Sequence, residues 1–277
     1  MRSSKSQSKG VNVKKTILVA VAHGDDETWA MGTLAKYAQN GYSIYLLIAT
    51  NGEKGWTDPK YKDNIVEIRK NEVRKAANIL GIKEVIFWDY SDCELVAVPV
   101  LELKEKFIKI IRQTQPQILF TWDPWAHYES QPDHRVIGLA ACEASWFSGF
   151  SSFYPQHLEE GLKPHVVGEI YYFAKYPIKV NKIIDITSAI DKKIKAFCQY
   201  KSQIILETEL MKKKLIANNM QVPLLKIEHL GQYIEFWQHR IKNEAAEIGK
   251  RIGVPFGEEF RYDGKGRLAD LFGTKNK

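Results

Sequence analysis

His23, Asp25, Asp26 and Glu27 stand together in the run Ala-His-Gly-Asp-Asp-Glu at 22–27, where three consecutive acids beside an imidazole repel one another unless a cation joins them. A metal ion is the economical cation. An imidazole and a carboxylate three residues apart can converge on one ion, leaving the adjacent carboxylate to face a water activated there. Capping competes for one of these acids, since Asp25 or Asp26 could cap a helix starting at Glu27, but it leaves His23 without a role. A catalytic zinc site takes three protein ligands and keeps a fourth position open, so a third donor is needed. The run at 121–135 can supply it, for it carries Asp123, His127, Glu129, Asp133 and His134. Of the seven histidines, only His23, His127 and His134 fall in these two runs. His157, His165, His229 and His239 come later, where a solvated or core histidine is the default.

The elements around the two runs predict how they meet. Residues 16–22 (TILVAVA) read as a buried strand, and 27–40 has helical spacing through Met31, Leu34, Ala35 and Ala38 before Asn40-Gly41. Strands follow at 42–50, 84–88 and 117–122, with a Gly/Pro-bearing loop at 51–62 and helices at 64–80 and 100–114. Another helix runs from Asp133 to about Trp146, 148–164 reads as a loop, and 168–175 and 182–186 read as later strands. Amphipathic helices are expected at 187–201, 206–216 and 231–252. Strands alternating with helices of about fifteen residues imply an α/β fold, a Rossmann-like doubly wound, mostly parallel sheet with helices on both faces and a helical C-terminal part. A strand order of 3-2-1-4 sets the first and fourth strands side by side, so both acidic runs face one crevice at the carboxyl ends of the strands.

Length and composition narrow the classes. The chain has 277 residues, 44% apolar and 26% charged, which excludes disordered, collagenous and coiled-coil proteins. Cys93, Cys142 and Cys198 are odd in number and far apart, as expected of free thiols in a reducing, cytoplasmic setting. No apolar stretch approaches the roughly 18 residues of a membrane span. The net charge of +7 raises the question of nucleic acid, but five of the 40 basic residues and none of the 33 acids precede Thr16, leaving +2 for the rest. Residues 1–15 therefore read as a basic, mobile tail before a single domain at 16–277, with no case for a nucleic-acid or membrane surface. There is no G-x-S-x-G for a serine nucleophile, and no G-x-G-x-x-G for a dinucleotide.

The pairing of Ala-His-Gly-Asp-Asp-Glu after a first strand with Pro-Asp-His-Arg (132–135) after a fourth resembles the zinc-dependent LmbE/PIG-L family of N-deacetylases, whose signatures are AHPDDE and HPDH. The likeness continues through Asn51-Gly52-Glu53-Lys54-Gly55, Arg69 and Glu72 as R-x-x-E, Asp89-Tyr90-Ser91-Asp92, and the stretch 254–261, similar to a C-terminal Y-A-E-x-F-R. The resemblance implies one Zn2+ per chain on His23, Asp26 and His134, Asp25 as general base, and Arg69 and Asp92 holding sugar hydroxyls. It implies loss of an N-acetyl group from an N-acetylglucosamine-type amino sugar, and a possible homo-oligomer. The sequence departs from the pattern twice: Gly24 replaces proline, and Gln131 stands at the first histidine of HPDH. Glutamine can donate a hydrogen bond but cannot transfer a proton at neutral pH, so His127 in the same loop is a candidate for the acid role, against packing on Trp125. Trp56, Trp122, Trp125 and Tyr128 are candidates for stacking on a sugar face. Two alternatives stand beside deacetylation: a metal-dependent phosphoester hydrolase, which would use two ions, and a sugar-binding module that kept the metal and lost turnover.

Overall fold

The run TILVAV forms the central strand β1 (Thr16–Val21), buried along its whole length because helices cover both faces of a parallel sheet. The structure, a computed structural model, describes residues 15–264 and 271–273. The expected tail lies outside the described residues except for Lys15. Strands β2 (Ser43–Thr50), β3 (Glu84–Tyr90), β4 (Ile118–Trp122), β5 (Glu169–Phe173), β6 (Lys182–Asp185) and β7 (Gly257–Asp263) join β1 in one sheet of order β3-β2-β1-β4-β5-β7-β6. The first five strands are parallel, and β7 runs antiparallel to β5 and β6. The expected order 3-2-1-4 is present, and its reversal between β1 and β4 opens a crevice at their carboxyl ends.

Helices α1 (Met31–Gln39) and α2 (Ile65–Leu80) share one helical layer with α6 (Ile190–Phe197), while α3 (Val100–Thr114) packs on α4 (Pro132–Phe147). Helices α7 (Lys201–Ala217) and α8 (Leu230–Lys250) pack on each other and reach the first layer through α2 and α6. Among the described residues no helix is long and apolar enough to cross a membrane.

Three local expectations are corrected. The loop expected at 148–164 holds a one-turn helix, α5 (Gln156–Glu159), and is tied down by buried Arg112, which donates to the carbonyls of Ser148, Phe150, Phe153 and Tyr154. The helix expected at 27–40 opens as a 3-10 turn, Asp26–Trp29, before α1, and neither Asp25 nor Asp26 caps either piece. The helix break expected at 202–205 falls instead at 198–200, because Tyr200 turns into the core to donate its hydroxyl to Glu27.

Strand β7 was not expected. Its sequence, GEEFRYD, is rich in charge and poor in strand formers, and it is held by partners distant in the chain. Buried Glu258 at its start accepts from the amides of Gly32 and Thr33 at 2.8 and 2.7 Å, in the first turn of α1, and from Lys193 Nζ at 2.7 Å. Its charge offsets the helix dipole and neutralises a buried ammonium, which gives the glutamate of the C-terminal motif a physical reason. Glu258→Ala strands Lys193 and two amides, a loss of about 3–5 kcal/mol. At about 2–4 °C per kcal/mol, calorimetry should find the melting temperature lower by roughly 10 °C; a shift of under about 3 °C would contradict this role.

Candidate metal centre and active site

Asp26 is oriented from behind. Its Oδ2 accepts from the amides of Ala22 and His23, at 3.0 and 2.8 Å, and from the Trp122 indole at 2.9 Å, which leaves Oδ1 facing His134 Nε2 at 3.2 Å. His134 sits on the first turn of α4, a start set by Pro132 and by the Gln131 side chain accepting from the Asp133 amide at 3.0 Å. Its ring lies flat on Trp122, with centroids 3.7 Å apart. His23 Nδ1 is 3.2 Å from His134 Nε2 and 3.6 Å from Asp26 Oδ2. A tetrahedral ion with bonds of about 2.0–2.1 Å needs donors about 3.3 Å apart, so the 3.2 Å contacts of His134 Nε2 with His23 Nδ1 and with Asp26 Oδ1 fit zinc, whose fourth position would be left open.

The outward nitrogens have carboxylate partners as well. His23 Nε2 meets Asp92 Oδ1 at 3.0 Å, and His134 Nδ1 faces Glu129 Oε2 at 3.4 Å, the arrangement that fixes the orientation of histidine ligands. A second group, His23 with Asp92 and Asp133, is also close enough to share an ion. Its Asp133 is committed elsewhere, because Oδ2 accepts from the Cys93 amide at 2.7 Å and Oδ1 from the Leu95 amide at 3.1 Å. The first group is therefore the better seat, because both carboxylate oxygens of Asp133 in the second already accept from backbone amides.

Electrostatics favour a cation at this point. Burial alone would lower the His23 imidazole, but Asp26, Asp133 and Asp92 around it raise it well above its usual value. Burial would raise Asp26, yet both imidazoles hold it well below the usual carboxylate range. Asp92 is likewise held at about 2, His23 overcoming its burial. Asp25 behaves differently: burial pushes it up to about 7 against the pull of Arg69. Behind it, fully buried Glu27 rises to about 8 through burial, its Oε1 accepting from Tyr200.

The predicted residues do not all converge. Asp25, at φ 150°, is bonded through Oδ1 to Arg69 at 3.2 Å, and Arg69 also donates to the carbonyls of Gly24 and Gly52. Gln131 points its amide nitrogen at His23 Nε2 and Cys93 Sγ, at 3.5 and 3.4 Å. His127 is exposed and edge-on to Tyr128, not packed on Trp125, which instead meets Tyr172. Among the described residues no hydrogen bond or ion pair joins it to the metal donors. With Tyr128 it lines a groove of ≈ 710 Å³ against 175–180. Trp122 is buried in the centre and cannot stack on a sugar, whereas Tyr128 is 89% exposed and Trp125 60%.

Gly24 has a packing reason. A Cβ there would lie 2.3 Å from Val73 Cγ2, so valine on α2 occupies the space that a proline would need. Gly24→Pro alone should cost about 1–3 kcal/mol through overpacking, and Val73→Ala in the same chain should recover most of it. Denaturant titration of the three variants checks this, and an additive double variant would refute it.

Glu129 and Trp122 stand out in the sequence, but not as partners of His134. Ser202 and Gln203 on α7, far away in the chain, escape the sequence reading altogether.

A diacetylchitobiose deacetylase of Thermococcus kodakarensis is 31% identical to this chain over 194 residues, 69% of this chain and 71% of the relative. The chain belongs to the PIG-L family. The family model, described as GlcNAc-PI de-N-acetylase, matches residues 18–145, which include every predicted site residue. The solved N,N'-diacetylchitobiose deacetylase from Pyrococcus horikoshii superposes with a TM-score of 0.73 at 30% identity, over 90% of this chain and 84% of that one. A probable N-acetyl-alpha-D-glucosaminyl L-malate deacetylase 2 of Bacillus anthracis is 29% identical over 136 residues, 47% of this chain and 59% of that protein.

Proposed function

We propose that this chain hydrolyses the N-acetyl group of an N-acetylglucosamine-type amino sugar, with one zinc ion held by His23, Asp26 and His134. The observation that carries this reading is the spacing of those three donors beside a second carboxylate, Asp25, which is not among them. Zinc bound there would supply Lewis acidity to the amide carbonyl and make water a stronger acid. Asp25 takes the proton of the attacking water, and its raised pKa suits a base working near neutrality. The Gln131 amide donates to the oxygen on which negative charge develops. Because glutamine has no proton to give, Asp25 returns the proton it took to the leaving nitrogen. The C–N bond breaks to acetate and a free amine. The contacts of Asp92 and Arg69 favour roles in holding His23 and Asp25 over roles in holding sugar hydroxyls.

The rest of the substrate fits the groove between His127–Tyr128 and 175–180. The groove lies at the same carboxyl edge of the sheet as the donors and is linked to them through Glu129, which faces both His134 and Lys175. Acetate released from N-acetylglucosamine and N,N'-diacetylchitobiose by the zinc-loaded protein tests the reading; no acetate from any N-acetyl sugar would end it. In the same assay Gln131→Ala should lower kcat about 100-fold, as loss of an oxyanion donor does. His127→Ala should change kcat by less than about threefold, since a groove residue has no proton transfer to lose. The reverse ranking would return the acid role to His127.

A further inference from the structure

Arg69 is the side-chain partner that the structure gives Asp25, and the guanidinium lies in a slot cut by two glycines. A Cβ on Gly52 would come within 2.6 Å of its Nη1, and one on Gly55 within 2.3 Å. The slot is closed from the C-terminal half of the chain. Gln203, on the first turn of α7, donates from Nε2 to the Gly55 carbonyl at 3.3 Å and to Ser202 Oγ at 3.1 Å. Ser202 is latched to α2, its amide and hydroxyl donating to Glu72 at 2.9 and 2.6 Å, and Glu72 is one turn beyond Arg69. All four side chains are buried. A contiguous chain of hydrogen bonds and close contacts thus runs from α7 through Gly55 and Arg69 to Asp25.

We infer that Ser202 and Gln203 are positioning residues for the deacetylation: they press the 52–55 turn onto Arg69, and Arg69 aims the Asp25 carboxylate. The inference rests on Asp25 acting as the base. The need for such a device is local. At φ 150° Asp25 occupies a backbone region that non-glycine residues rarely adopt, so its direction must be imposed by surrounding contacts. A misplacement on the order of 1 Å costs about 100-fold in rate. Both α7 residues lie beyond the 18–145 stretch matched by the family model, so a deacetylase core could carry a different brace at this point.

The test separates orientation of the base from binding of the sugar. Gln203→Met keeps the volume and removes the donor; it should lower kcat about tenfold, with KM within twofold and one zinc retained per chain. Arg69→Ala should lower kcat about 100-fold, and millimolar guanidinium should restore part of the loss. Gly55→Ala fills the slot and should resist that rescue. A loss of Gln203→Met activity carried by KM with kcat unchanged, or kcat within twofold of wild type, would overturn the inference, as would Arg69→Ala that guanidinium leaves unchanged. If Gly55→Ala fails to fold, the other two variants still decide. Asp25→Asn separates the two readings: if it retains turnover the base assignment fails, whereas if it abolishes turnover and Gln203→Met is silent, only the positioning role fails.

Discussion

Asp25→Asn should lower acetate release by about 10³-fold, within the range of about 10²–10⁴ supplied by a positioned general base, while the protein still binds one zinc ion. The two halves of this result have separate causes. Asparagine keeps the size of the carboxylate and can still accept from Arg69, but it cannot hold the proton of water at neutral pH. The donors that fit an ion are Asp26 Oδ1 and the two imidazoles, so the metal seat loses nothing. Zinc content by atomic emission together with acetate release on N,N'-diacetylchitobiose checks both halves. Turnover within tenfold of wild type would remove Asp25 as the base, and loss of zinc would place its carboxylate among the ligands.

His134→Ala should empty the centre. The ring supplies one of three protein donors, and without it Asp26 Oδ1 and His23 Nδ1 are left with two donors for an ion that takes three from the protein. Zinc per chain after dialysis should fall from near one to below about 0.1, with acetate release falling to background. The residues behind the ligands should behave in a graded way: Asp92→Asn and Glu129→Gln each weaken binding by about 10–100-fold, the usual effect of losing the carboxylate behind a histidine ligand. Stability should follow occupancy. Zinc at 1,000 times its dissociation constant stabilises the folded chain by about 4 kcal/mol, so a chelator should lower the melting temperature of wild type and leave His134→Ala unmoved. Full zinc in His134→Ala would exclude it from the centre.

The candidate metal donors are legible because their signal is local. His23 and Asp26 lie three residues apart at the end of an apolar strand, and His134 follows a proline-led helix start at the end of another, so sequence and topology together aim them at one crevice. Asp92, Arg69 and Trp122 were visible as residues but not as partners. A carboxylate after β3 reads equally as a turn residue, a sugar ligand or the support of a histidine, and the 3.0 Å contact with His23 Nε2 is what favours the last. The same holds for Trp122, a candidate sugar platform that turns out to lie buried on the His134 ring.

Legible in the sequence alone were the alternation of strands and helices, the strand order around β1 and β4, and the motifs that carry His23, Asp26 and His134 as candidate metal donors, because periodicity and motif spacing are properties of neighbouring residues. The tertiary structure decided what depends on residues far apart in the chain: β7 inserted between β5 and β6, Glu258 closing on α1, His127 turned toward the groove, and Gln203 bracing the turn against Arg69. Such contacts leave no local pattern, since each partner has an adequate reading on its own, and their energy appears only when burial takes both from water.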